Sequence, residues 1–375
     1  MQAMTDQGAP GRTSRPPGGE GHAAFPDPGQ PESILAAYAP GLLGRIAAAA
    51  DFDTLALAAK SHGGLVRILA QVGLPVMAIS RTTACLNEHV MDRLYRLTLP
   101  AEVVANSCLM VMGSEGRAEQ ILKTDQDNGL VLRDGFAWAG LPDALADFSA
   151  RLGQLGWPAC KGHVMVTNPA WVRTEAEWRD TVGHWVRLPR EESHMHLAIF
   201  ADAAAVSGDA RLLAGVTGAM HEIMTGHGPF FAQFAKVAVQ FAAPIGLFGH
   251  IVTEGGEHRG EVDVKKGGIF PLVHGLRAMA LEAGIRRTNT LARLEALVER
   301  GTIDRPFGVD LRETFEFLVG LRLKARLTDP DPTANDNLVN PAHLARDERE
   351  DLRHAFKTVK QFQDILTYHF HLEMF

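Results

Sequence analysis

The chain is short of cysteine, of long apolar runs and of surplus positive charge, and each shortage removes a class of function. Three cysteines, Cys85, Cys108 and Cys160, are scattered through 375 residues. They show no metal-ligand spacing, and an odd, scattered set fits buried thiols in a reducing compartment better than a disulfide framework. No segment reaches the roughly 18 uninterrupted apolar residues that a membrane span needs, and the N-terminus lacks the apolar core of a signal peptide. Lys and Arg number 37 against 44 Asp and Glu, a formal net charge of −7, so no global field draws the chain to nucleic acid. The expectation is a cytoplasmic protein that binds neither membrane nor nucleic acid.

What is present is ordinary globular material, 46% hydrophobic and 22% charged, in a chain long enough for two domains. Residues 1–32 are rich in Gly, Pro and Gln and read as a disordered tail. Residues 33–100 read as helices, among them one long helix from Val76 to Leu97 closed by Pro100, and suit a packing or homodimerisation element. Residues 101–219 alternate strands and helices. From residue 220 to 375 strand signals fade, and helices such as Thr290–Arg300, Arg312–Leu327 and Arg346–Glu373 imply a bundle.

The most informative stretch is Met112-Gly113-Ser114-Glu115-Gly116-Arg117-Ala118-Glu119-Gln120-Ile121-Leu122-Lys123-Thr124-Asp125-Gln126-Asp127-Asn128. It follows a strand-like apolar run, Cys108–Met112, and leads through a small-residue turn to a second strand that opens with carboxylates at i and i+2. Alternate strand residues share a face, so Asp125 and Asp127 project together and Gln126 and Asn128 point away. Two adjacent carboxylates repel unless a cation lies between them, and hard oxygen ligands suit Mg²⁺, which takes remaining ligands from water and phosphates. Glycine at 113 lets backbone approach phosphate. Nucleotide chemistry follows.

Gly113-Ser114, ten residues and then Asp125-x-Asp127 resembles the signature of the DNA polymerase β-like nucleotidyltransferase superfamily. The longer string is similar to nucleotidyltransferases of bacterial signalling proteins, often fused to CBS or cyclic-nucleotide-binding domains and related to the PII protein uridylyltransferases. The resemblance runs, with gaps, from about Val103 to the C-terminus. It implies an α+β fold: a small mixed sheet with flanking helices, followed by an all-helical, substrate-binding bundle. It also implies a two-metal Mg²⁺ site and transfer of an NMP from an NTP to an acceptor, here a protein hydroxyl such as that of a PII-like signalling protein. Two other readings stand beside it: a nucleotide-binding sensor or scaffold of little turnover, and a small-molecule enzyme of the aminoglycoside-modifying type.

The implied metal ligands and catalytic residues are Asp125, Asp127 and Asp202. Asp202 ends an apolar run, His196–Ala201, expected to be a strand beside the acidic pair. Family members carry an Asp in the same Ile-Phe-x-Asp context, many with Arg two residues later, where this chain has Ala204. Asp209 competes with Asp202 and suits a helix cap better. Gly113, Ser114 and Arg117 are the candidates for the triphosphate, with a salt bridge from Arg117 to Glu119 or Glu115 as the alternative. Lys265 and Lys266, before Gly267-Gly268, are expected to close over the nucleotide from the helical domain; Arg277, Asn337 and Asn340 are weaker candidates. Lys123 and Thr124 suit loop bracing. His194-x-His196 and His369-x-His371 lack the partners of a zinc site, and Trp171, Trp178 and Trp185 suit packing rather than base stacking.

Overall fold

The computed structural model describes residues 30–60, 62–121, 125–188, 190–328 and 335–374. Most of the expected tail, together with Lys123 and Thr124, lies outside the described residues. Six helices open the chain: α1 (Pro31–Tyr38), α2 (Leu42–Ala48), α3 (Phe52–Ala59), α4 (His62–Gln71), α5 (Val76–Thr98) and α6 (Ala101–Ala105). Asp51 starts α3 through a capping box with Thr54, which satisfies backbone N–H groups that have no partner inside the helix. Pro75 and Pro100 flank α5, and its buried face, including Leu86, Val90 and Leu94, is the surface on which α1 to α4 pack.

A four-stranded mixed sheet follows, built from β1 (Ser107–Val111), β2 (Asn128–Leu132), β3 (Val172–Thr174) and β4 (Ala204–Gly208) in the order β3-β2-β1-β4. Strand β1 is central, antiparallel to β2 and β4, while β2 and β3 run parallel. Every residue of β1 is buried, as expected of a strand covered on both faces. A one-turn helix, α7 (Gly113–Gly116), leaves the end of β1, and α8 (Leu141–Gln154), α9 (Glu175–Arg187), α10 (Glu191–Phe200) and α11 (Ala210–Met224) complete this half. Tyr95 of α5 ties the sheet to its cover. Its hydroxyl lies 2.7 Å from Ser107 Oγ and its ring meets Phe148 of α8 edge-on at 5.6 Å.

The second half consists of α12 (Gly228–Lys236), β5 (Val262–Asp263), α13 (Phe270–Glu282), α14 (Thr290–Glu299), α15 (Arg305–Thr328), β6 (Leu338–Val339) and α16 (Arg346–His369). Pro271 to Leu281 of α13 are all buried, so α13 is the axis around which α12, α14 and α16 gather. A two-residue antiparallel ladder, β5 with β6, interrupts the helices. The architecture is α+β followed by a helical domain.

Two local expectations are corrected. His196–Phe200 belongs to helix α10 rather than to a strand, and Ala201 and Asp202 lie in the turn that follows. A short apolar run is equally compatible with a buried strand or a buried helix. Here Leu197 and Phe200 share the inner face, whereas Met195 is exposed. The strand here is the next segment, β4, and it pairs with β1 rather than with the strand that follows the acidic pair. Asp125 and Asp127 lie just ahead of β2 and not within it, although Asp127 O accepts a hydrogen bond from Met112 N at 2.8 Å and so extends the ladder.

Candidate active site

The acidic pair is aimed by the residue between its members. Gln126 is buried; its Nε2 donates to Ser149 O at 3.0 Å and Trp157 O at 2.8 Å, and its Oε1 accepts from Ser149 Oγ at 2.7 Å. In an extended segment this anchoring turns Asp125 and Asp127 the other way. Asn128 is likewise buried, and its Oδ1 accepts from Val166 N at 2.9 Å. Gly113 closes over the pair. Its φ is +58°, and a Cβ there would stand 2.8 Å from Asp127 Oδ2, so no larger residue fits this approach.

Cys160 completes the cluster. Asp125, Asp127 and Cys160 each offer a ligand atom, and these atoms lie within 4.8 Å of one another. Burial first, and then the charge of Asp125, push the Asp127 carboxyl up to about 6, against opposing pulls from the Cys160 thiol, Lys265 and Arg117. The segment from Cys160 to Met165 forms no strand, but Gln126 N donates to Pro158 O at 2.9 Å and Asn128 N to Val164 O at 3.1 Å. These two bonds flank Asp127 and hold Cys160 against it.

Asp202 does not join this cluster. It is fully buried and serves three arginines: Arg117 Nη1 at 2.6 Å, Arg293 Nη1 at 2.8 Å, and Arg277 through Nε at 3.0 Å and through Nη2. Burial alone would raise its pKa, but Arg277, Arg293 and Arg117 outweigh it and hold the carboxyl well below the usual range. The expected third metal carboxylate is therefore the anchor of an ion-pair cluster that joins the sheet half to α13 and α14. Arg117 also pairs with Glu119 at 2.7 Å. His274 extends the chain, accepting from Arg277 Nη1 at 3.0 Å on Nδ1, which leaves Nε2–H to donate to Phe234 O at 2.7 Å. Burial holds His274 neutral, with its pKa pulled down to about 3.

Between the halves lies a cavity of about 890 Å³. Gly113, Ser114, Arg117, Asp125 and Asp127 form one wall. The opposite wall includes Lys265, Arg277 and Arg322, and apolar groups such as Ile199, Phe270 and Phe315 line the remainder. Burial first, then Arg322, lower the pKa of the Lys265 ammonium, while Asp125 acts in the opposite sense. Lys266 does not share this position: its ammonium sits 4.9 Å from the centre of the Phe241 ring. Arg322 pairs with Asp336 at 3.2 Å, and its buried Nε has no hydrogen-bond partner among the described residues. Asn337 and Asn340 brace loops, through Asn337 O to Val264 N and through Asn340 Oδ1 to Ala342 N.

Residues 61–192 match the family described as "Putative nucleotidyltransferase DUF294", and residues 228–370 match its companion, "Putative nucleotidyltransferase substrate binding domain". The chain belongs to this nucleotidyltransferase family. No curated protein matches it. The first matched segment carries Gly113, Ser114, the acidic pair and Cys160; the second carries Lys265, Arg277, Arg293 and Arg322. The cavity therefore lies between a nucleotidyltransferase segment and a segment described as substrate binding.

Four residues of this family member's site escape sequence reasoning. Cys160 stands 33 positions after Asp127 with no motif to join them. Arg293 and Arg322 sit on helices where an arginine ordinarily reads as solvated, and His274 lies within an apolar run. Asp209 caps α11 through Arg211 N. His194 and His196 fall on a helix, and their rings pack against Phe230 and Phe234 and against Trp171 and Trp185 respectively. Trp171, Trp178 and Trp185 form one packed group with Phe200. His369 pairs with Glu282.

Proposed function

We propose that this protein is a Mg²⁺-dependent nucleotidyltransferase that moves an NMP from an NTP to a protein hydroxyl and releases pyrophosphate. The observation that carries the reading is the placement of Asp125 and Asp127 beside the Gly113-Ser114 turn, on the wall of a cavity whose other wall belongs to the substrate-binding segment. The donor set suits the cation. Two carboxylates are forced together, and Asp127 is pushed up by burial and by Asp125, a cost that a divalent ion between them relieves. When bound, Mg²⁺ supplies charge stabilisation at the α-phosphate and acidifies the acceptor hydroxyl.

The protein's own groups do the rest. Gly113 and Ser114 bring backbone close to the phosphates, and Lys265 offers an ammonium from the facing wall. Arg117, committed to Glu119 and Asp202, positions the turn and adds positive potential without leaving its partners. The apolar wall around Phe270 and Phe315 excludes water from the base and sugar, which strengthens the polar contacts. The PII uridylyltransferase resemblance supports a protein acceptor.

One observation favours the sensor reading: Asp202 is fully occupied by arginines, so among the described residues the cluster holds two carboxylates, Asp125 and Asp127. Labelling of lysate with each of the four α-³²P-NTPs separates the cases. Transfer to a protein band that Asp125→Asn or Asp127→Asn abolishes, with the fold intact by circular dichroism, supports the enzyme. Label in the low-mass fraction identifies a small-molecule acceptor. Calorimetric nucleotide binding with no pyrophosphate release supports the sensor, and labelling that survives both substitutions rejects the assignment of the acidic pair.

A further inference from the structure

We infer that Cys160 is the third protein ligand of the cation site formed by Asp125 and Asp127, and that its sulfur makes this a site for borderline divalent ions of the zinc, cobalt and cadmium class in addition to Mg²⁺. The inference rests on the proposed metal site and adds to it a ligand and a selectivity. Three observations carry it. The ligand atoms of Asp125, Asp127 and Cys160 lie within 4.8 Å of one another, close enough for one ion to touch all three. The third carboxylate expected there, Asp202, is buried among Arg117, Arg277 and Arg293. The thiol is also placed by the fold: Gln126 N to Pro158 O and Asn128 N to Val164 O pin the loop on either side of Asp127, and Cys160 N donates to Met165 Sδ at 3.3 Å.

The two classes of ion use the cluster differently. Mg²⁺ prefers oxygen and retains water, so it engages the carboxylates and leaves Cys160 as a thiol. Thiolate sulfur selects softer ions. When such an ion binds, the Cys160 S–H bond breaks, the proton leaves to solvent and a sulfur–metal bond forms, with no change of oxidation state. Binding therefore releases a proton that Mg²⁺ binding does not. At equal free concentration a zinc-class ion displaces Mg²⁺ from the pair.

The test is titration of the full chain with Co²⁺ and Cd²⁺, followed by sulfur-to-metal charge-transfer absorption and by proton release in weak buffer. The expected result is an absorption band and an extra proton in the wild type. Both are lost in Cys160→Ser, whose Cd²⁺ affinity falls by about tenfold or more while its Mg²⁺ affinity is unchanged. Asp125→Asn, a change at an exposed side chain, should weaken Cd²⁺ binding and the band with the fold intact, and so tests the cluster even if Cys160→Ser fails to fold. A band that persists in folded Cys160→Ser, or one that Asp125→Asn leaves at full strength and affinity, overturns the inference. These readouts are independent of nucleotide transfer. Loss of the band in Cys160→Ser together with no pyrophosphate release from any NTP would uphold the ligand and reject the transferase reading.

Discussion

Asp202 and Gly113 show how single residues fix this site by opposite means. Asp202 works through charge: one buried carboxylate faces three guanidinium groups, and removing one partner of a buried ion pair leaves the others uncompensated. Asp202→Ala should therefore destabilise the protein by about 3–5 kcal/mol in urea denaturation. A loss below about 1 kcal/mol, the value of an exposed pair, would contradict the anchoring role. Gly113 works through space. Gly113→Ala places a Cβ against Asp127 Oδ2 at a φ of +58°, so it should cost about 1–2 kcal/mol of stability and weaken Mg²⁺ binding measured by calorimetry. Unchanged Mg²⁺ affinity would show that the turn does not shape the pair. His274 adds a pH dependence. Its folded pKa of about 3 lies below the ordinary value near 6.5, so in that window the unfolded chain binds a proton that the folded protein does not. Stability then rises with pH between those values by about 1.4 kcal/mol per unit from this group and levels off above them. His274→Gln should remove that share of the slope, as measured by urea midpoints across the window. An unchanged slope would mean that the buried ring already takes up its proton.

At the scale of elements, periodicity located most helices, while contact chemistry decided what they do. The long α5 and the run of helices after residue 220 are legible because apolar residues recur at helical spacing between Pro and Gly breaks. The Gly-Ser turn and Asp125-x-Asp127 are legible because their spacing is fixed along the chain. The His196–Ala201 run is ambiguous because burial on several sides erases the difference between the two periods, and β4, read as Ala-Ala-Val-Ser-Gly, is too weakly apolar to announce itself. Cys160, Arg293 and the pairing of Arg117 and Arg277 with Asp202 are illegible for another reason: the partners are distant in sequence and meet only through tertiary packing. Helix α13 gives a test at this scale. Gly275 lets α16 approach, and a Cβ there would come within 2.6 Å of Phe362 and 2.5 Å of Leu366. Gly275→Val should push α16 outward and cost about 1–3 kcal/mol, visible as a lowered Tm. A Tm at or above the wild type would show that the α13–α16 contact is loose.

At the scale of the whole molecule, two halves of different construction share one cavity. The sheet half presents Gly113, Ser114, Asp125 and Asp127, the helical half presents Lys265 and Arg322, and the Asp202 cluster fastens them together. Matches to a nucleotidyltransferase segment and to its substrate-binding companion fall on the corresponding stretches. The proposed function places transfer of a nucleotide within this cavity on Asp125 and Asp127. It is tested most directly by the four-NTP labelling of lysate with wild type and the Asp125→Asn/Asp127→Asn double variant. The expected result is a labelled protein band, dependent on one NTP and on Mg²⁺, that disappears in the folded double variant. A band of equal intensity with the double variant would contradict it.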